Sequence, residues 1–264
     1  MDYSKIVQGI LDIGEAMLQS GAENFRLEDS FYRMCRSYGF KRSDVFVIPS
    51  NIQVTVETPE GEIITQIRHI ESTGADYDKL NYLNAMSRYV CSHNPDEKEL
   101  VRRFKKVMAR PDQSELITGL AQITGGTAFA VFFGCDLQDA VVALIVCLMI
   151  VLVGRWLSRR EGNPMIYNLI LAFLSEVVIV TAVRSGLGHH PDRIMIGIVM
   201  LLVSALGAIN GMRDVMQRNF ISGSLEVMNS MLGAFGIAFG IALAMMLMGN
   251  ISAEGFDVNN NTVI

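Results

Sequence analysis

The chain lacks the even spread of charge that a soluble domain carries. It holds 22 Lys and Arg and 27 Asp and Glu, yet only 7 basic and 10 acidic residues lie beyond Asp112. Half of the residues are hydrophobic and the mean hydropathy is +0.33. Charge in front and hydrophobicity behind exclude an ordinary soluble enzyme, a disordered chain and a collagen-like one. A basic excess is also missing. The net charge of −5 and pI near 5.4 argue against a nucleic-acid partner, because phosphates need a basic surface. Cys35, Cys91, Cys135 and Cys147 are widely spaced with no C-x-x-C pair, so they make no disulfide framework. No G-x-x-x-x-G-K-[ST], G-x-G-x-x-G or H-E-x-x-H occurs. His69 and His93 have no acid or nucleophile at a recognisable spacing and read as structural or solvated. The expectation is a protein that is not an enzyme and uses no cofactor or resident metal. A secretory signal is absent too, since Asp2, Lys5, Asp12 and Glu15 interrupt the first twenty residues. The N-terminus is therefore expected in the cytoplasm.

What is present in front is a small α+β pattern over residues 1–112. Ile6, Ile10, Ile13 and Met17 recur at helical spacing up to Gln19-Ser20-Gly21, and Leu27, Phe31, Met34 and Tyr38 mark a second helix before Gly39. The period then changes to two. Val45–Ile48 ends at Pro49, and Ile52, Val54 and Val56 alternate with Gln53, Thr55 and Glu57 as a half-buried strand. Pro59-Glu60-Gly61 supplies a turn into a third strand from Glu62 to Ile70. Helical spacing returns over about Asp76–Cys91 and Pro95–Met108. Arg102, Arg103, Lys105 and Lys106 then form a basic flank suited to anionic lipid headgroups.

Behind it, five apolar stretches approach the roughly 20 residues that a spanning helix needs. They are Leu116–Gly134, Leu137–Gly154, Met165–Val183, Ile194–Ile209 and Leu225–Met248, within a membrane domain over residues 113–250. The expected fold is thus a multi-pass α-helical membrane protein of five transmembrane helices with an N-terminal cytoplasmic α+β domain. Basic residues near the helix ends set the orientation. Ten of them (Arg102, Arg103, Lys105, Lys106, Arg110, Arg155, Arg159, Arg160, Arg213 and Arg218) fall on one side, and Arg184 and Arg193 on the other. The front domain is then cytoplasmic and residues 251–264 form an extracytoplasmic tail of a protein in the inner (plasma) membrane.

Polar residues inside such spans carry an insertion cost of roughly 2.5–3.5 kcal/mol for a central charge, so each invites a functional reading. Glu176 is the clearest, as a proton or ion carrier, with protonation and a bond to a neighbouring helix as the plainer reading. Glu226, with Asn229 on its accessible face, is the second ion-coupling candidate. In the first span Gln122, Thr124, Gly125 and Gly126 suit either a broken helix presenting backbone groups to substrate or close packing. Gly236 and Gly240 form a G-x-x-x-G packing stripe. His189-His190 are adjacent potential metal ligands, but no third ligand is visible in the sequence. Between the fourth and fifth stretches, Asn210, Arg213 and Asp214 lie at the cytoplasmic edge, where Arg213 suits a carboxylate substrate and Asp214 suits holding it. An ordinary capped loop is the plainer alternative.

Several of these segments, in this order, resemble the threonine/serine exporter family. Ser20-Gly21-Ala22-Glu23-Asn24-Phe25-Arg26-Leu27-Glu28-Asp29 is similar to its Gly-Ala-Glu…Arg-Val-Glu signature, and strands Val45–Pro49 and Ile52–Val56 fall where that family has them. Thr124–Phe133 with Gly134 and Asp139, then Asn210–Asp214 and Ser222-Gly223, are similar to its glycine-rich first span and its Asn-x-x-Arg-Asp…Gly segment. The resemblance covers about residues 4–248 and is closest to the large subunit of a split, two-component form. It implies export of a small carboxylate metabolite, either threonine and serine or a dicarboxylate such as succinate. It also implies a small second membrane subunit, a homo-oligomer, or both. A membrane-anchored regulator or scaffold, whose cytoplasmic domain binds a ligand or protein, is the alternative reading.

Overall fold

The structure, a computed structural model, describes residues 2–71, 73–111 and 113–248. The expected tail at 251–264 lies outside the described residues. The chain forms two compact units. The first combines Met1–Gln113 with Ile209–Val227, and the second combines Ser114–Ala208 with Met228–Ile264.

In the first unit, Asp2 caps α1 (Tyr3–Gln19) by accepting the Lys5 N–H at 3.3 Å. The stripe foreseen from the spacing is buried, with Ile6, Ile10, Ile13 and Met17 nearly inaccessible. Gly21, at φ +91°, turns the chain into α2 (Asn24–Ser37). Strands β1 (Arg42–Ile48), β2 (Asn51–Glu57) and β3 (Ile63–His69) form an antiparallel meander in the order β1-β2-β3. Its register pairs Val45 with Val54 and Val54 with Gln66. Ile52, Val54 and Val56 face the core, as period two requires. Helix α3 (Tyr77–His93) packs on α1 and α2, and α4 (Glu97–Met108) on α1 and α3. The α1–α2 crossing closes on one contact. The Phe31 ring lies against Gly14, where any Cβ would collide with it.

In the second unit, α5 (Glu115–Phe132) packs on α6 (Leu137–Ser158), and α6 packs on α7 (Pro164–Arg184). Helix α8 (Pro191–Leu202) contacts all three. It leads into α9 (Ala205–Met216), and the long α10 (Phe220–Met248) follows. Three helices, α6, α7 and α10, are long and apolar enough to cross a membrane. The pair α8 and α9 passes the same test jointly but is bent by 54°. Among the described residues this gives three spans, or four if the bent pair counts as one. Leu137, Leu152 and Phe239 stand exposed on the qualifying helices, as side chains facing lipid do. Helix α5 does not qualify, because Glu115, Gln122 and its threonines and glycines dilute its hydropathy.

One alternative left open by the sequence is resolved here. Gly125-Gly126 does not break α5, which is continuous; Gly126 instead receives the Cys147 Sγ and Leu201 side chains at close range. The break lies at Val203-Ser204, inside the stretch read as one span, with Val203 extended at ψ 125°. Gly236 and Gly240 let α10 approach the backbone of α7 at Met165 and Leu169, so the G-x-x-x-G stripe is a packing device.

Replacing Phe31 with Ala should leave a cavity at the α1–α2 crossing and destabilise the first unit by about 3–5 kcal/mol. Hydrogen exchange of the β2 amides is then expected to accelerate by about 100-fold or more. Unchanged protection would show that the crossing does not stabilise the sheet.

Candidate functional site

The turn at Gly21 delivers Glu23 and Asn24 to the start of α2, and there the Asn24 side chain is buried. Its Nδ2 donates to Ser222 Oγ at 2.7 Å, to Asp214 Oδ2 at 3.1 Å and, more distantly, to Glu226 Oε2 at 3.4 Å. Ser222 Oγ in turn donates to Asp214 Oδ2 at 3.0 Å. Ser222 and Glu226 are four residues apart on α10, so they share one face of the helix.

What brings Asp214 to that face is a close helix crossing. Gly211 on α9 meets the backbone of Gly223 and Val227, and Gly223 meets the backbone of Gly211 and Val215. A side chain at either glycine would hold the helices apart. The connecting turn places Arg218 at φ +70°.

Arg213 does not pair with its neighbour Asp214. Its Nη1 donates to Glu23 Oε2 at 2.6 Å, and it remains 47% exposed. Arg26 adds a second contact to Glu23 at 3.3 Å. One turn beyond Asn24, Glu28 accepts the Val47 N–H at 3.2 Å. Burial pushes the Glu28 carboxyl above its ordinary range; the Val47 N–H opposes this and the Asp214 charge adds to it. The cluster thus sets Asp214 and Glu226 against neutral donors, with two guanidinium groups, Arg213 and Arg26, on Glu23 at its edge. Such an arrangement suits a cationic group on the acids and an anionic group on Arg213.

Of the residues singled out from the sequence, Arg213, Asp214 and Glu226 meet here. Asn210 lies one turn before Asp214 on α9, half-buried. Gln122, Thr124, Gly125 and Gly126 belong to α5 in the second unit. Gln122 and Thr124 face outward, and the Thr124 hydroxyl donates to Leu120 O at 2.9 Å. Asn229 is also exposed in the second unit. Glu176 is buried in α7, and its Oε2 has no hydrogen-bond partner among the described residues. Asn24 and Ser222 were not chosen as site residues from the sequence. The signal was nonetheless present, since both sit in segments that carry the family resemblance.

Asn24→Ala should remove the shared donor and leave Asp214 and Glu226 less satisfied, a loss of about 1–3 kcal/mol. Exchange of the amides in residues 209–227 should accelerate about tenfold; an unaltered rate would make Asn24 incidental. For Glu28 the raised carboxyl value fixes the sign. Its stabilising contribution is full below the ordinary value of 4.5 and is lost as pH rises through the folded value. Glu28→Gln keeps an acceptor for Val47 without the charge. The variant should therefore gain thermal stability over the natural chain as pH rises from about 4.5 to 7, measured in detergent. A pH-independent difference would refute this origin.

No curated protein and no solved structure gives a significant match to this sequence. The threonine/serine exporter (ThrE) family matches residues 8–248, which takes in Asn24, Asp214, Ser222 and Glu226. With that match over most of its length, the chain belongs to the threonine/serine exporter family.

Proposed function

We propose that the chain is a subunit of a secondary exporter that carries a small α-amino acid, threonine or serine, out of the cytoplasm. The observation that carries this reading is the charge layout around Arg213. A zwitterion needs one cation for its carboxylate and one anion for its ammonium. Arg213, now holding the Glu23 carboxylate, is suited to exchange it for the substrate's. Asp214 and Glu226, held by neutral donors, are suited to the ammonium. A dicarboxylate such as succinate would find, beside Arg213 and Arg26, the carboxylates of Glu23, Asp214 and Glu226 and no cation for its second charge among the acids, so electrostatics favour the amino acid.

In this reading α5 and the bent α8–α9 pair complete five spans of an inner-membrane protein. The excess of basic residues supports a cytoplasmic front unit and an outer C-terminal end. The break at Val203-Ser204 interrupts the helix in the way that transporters use beside substrates and ions. Glu176, with its unpartnered oxygen, carries the coupling proton. The outward polar residues of α5 (Gln122 and Thr124 beside Gly125-Gly126), together with Asn229, line the path that a small second membrane subunit or another copy completes.

Uptake into inside-out vesicles with an acidic lumen tests this, with the chain expressed alone and with its candidate small partner. Labelled threonine and serine should accumulate, and succinate should not. Arg213→Ala should raise the KM at least tenfold, and Arg213→Lys should recover part of the loss. Glu176→Gln should remove the response to the proton gradient while leaving substrate exchange. Succinate uptake without threonine would overturn the zwitterion argument, and an unchanged KM in Arg213→Ala would dismiss Arg213 as a ligand.

A further inference from the structure

A second cluster of charged and metal-ligating side chains lies in the second unit and shares no residue with the candidate site described above. The sequence places His189-His190 side by side with no third ligand nearby. The fold supplies acids from about fifty residues earlier, where Asp136 caps α6 and Asp139 occupies its first turn. We propose that Asp136, Asp139 and His189 bind one divalent transition-metal cation of the zinc class. The proposal does not depend on the transport reading.

The geometry is that of a ligand set. One donor atom from each of Asp136, Asp139 and His189 lies within 4.8 Å of the others, and Asp136 Oδ2 is 3.0 Å from His189 Nδ1. Two ligands bound at about 2.1 Å to one cation stand about 3.0–3.5 Å apart, so small adjustments admit the ion.

Both carboxylates are also oriented by further partners. Asp139 is fully buried, and its Oδ1 accepts the backbone N–H groups of His189 at 2.7 Å and His190 at 3.2 Å. Its Oδ2 faces the His190 Nδ1 at 2.9 Å, the carboxylate–histidine pairing that steadies metal ligands. Asp136 uses Oδ1 to accept the Asp139 N–H at 2.8 Å, which leaves Oδ2 directed to His189. The Asp139 N–H and the His189 ring are thus the partners that fix the two Asp136 carboxylate oxygens.

Among the described residues no Lys or Arg forms an ion pair with Asp136 or Asp139. Arg193 is engaged with the Gly134 carbonyl at 2.7 Å. His189 and Asp136 are 57% and 44% exposed, so water can enter the remaining coordination positions. One imidazole nitrogen with two carboxylate oxygens favours zinc-like cations over magnesium or calcium, which prefer oxygen alone.

The test is isothermal titration of tag-free full-length protein in detergent with Zn²⁺. About one ion should bind per chain, and millimolar Mg²⁺ should not displace it. His189→Ala should weaken binding at least tenfold. Asp136→Asn should do the same while retaining an oxygen to cap α6. His93→Ala, in the other unit, should change nothing. Helix content of each variant, followed by circular dichroism, separates ligand loss from unfolding. Binding that survives both site variants, or that Mg²⁺ competes away equally, would overturn the proposal.

Discussion

The carboxamide of Asn24 is the donor on which the first unit's polar interior depends. Asp214 and Glu226 approach it from two helices, and neither has a cation among the partners described above. A buried carboxylate needs hydrogen bonds in place of lost water, and removing the shared donor leaves two acids to repel each other. The other features of the corner follow from that need. Gly211 and Gly223 let α9 and α10 close to backbone distance, and Gly21 turns α2 so that Asn24 points inward. Ser222 adds the second donor to Asp214.

The same corner separates two kinds of charge. Asp214 is buried and bonded to neutral groups, whereas its neighbour Arg213 stands half-exposed on Glu23. Adjacent helical residues point about 100° apart, so one turn of α9 presents an anion inward and a cation outward. A partly exposed ion pair exchanges partners at little cost, because water screens it and its Coulomb energy is small. The Arg213–Glu23 pair is therefore the exchangeable part of the corner, while Asp214 is held by its hydrogen bonds to Asn24 and Ser222.

The second unit handles polar groups differently. Its helices satisfy their backbones internally, and the hydroxyls of Thr124, Ser175 and Thr181 donate back to carbonyls of their own helices. Two places depart from that economy. Glu176 keeps an oxygen without a partner among the described residues, and the chain leaves helical geometry at Val203-Ser204. At the second place the Val203 N–H still donates to Val199 O at 2.9 Å and its carbonyl accepts the Ala205 N–H at 3.1 Å, so among the described residues it is Glu176 that keeps a buried side-chain oxygen without a partner.

Periodicity alone determined much of this protein. The alternation of Ile52, Val54 and Val56 marked β2, and the stripe of Ile6, Ile10, Ile13 and Met17 marked α1, because side-chain direction repeats every 2 or 3.6 residues whatever the rest of the chain does. Long apolar runs marked α6, α7 and α10 for the same local reason. Order and spacing of short segments were enough for the family. The sequence could not show the break between α8 and α9, since Leu201-Leu202-Val203-Ser204 contains neither glycine nor proline to announce it. Nor could it show that Asn24 meets Asp214 and Ser222, 190 and 198 residues away, or that His189 meets Asp136 across 53. Those contacts come from helix crossings and loop returns, whose geometry depends on packing along the whole chain, and no local pattern of residues encodes it.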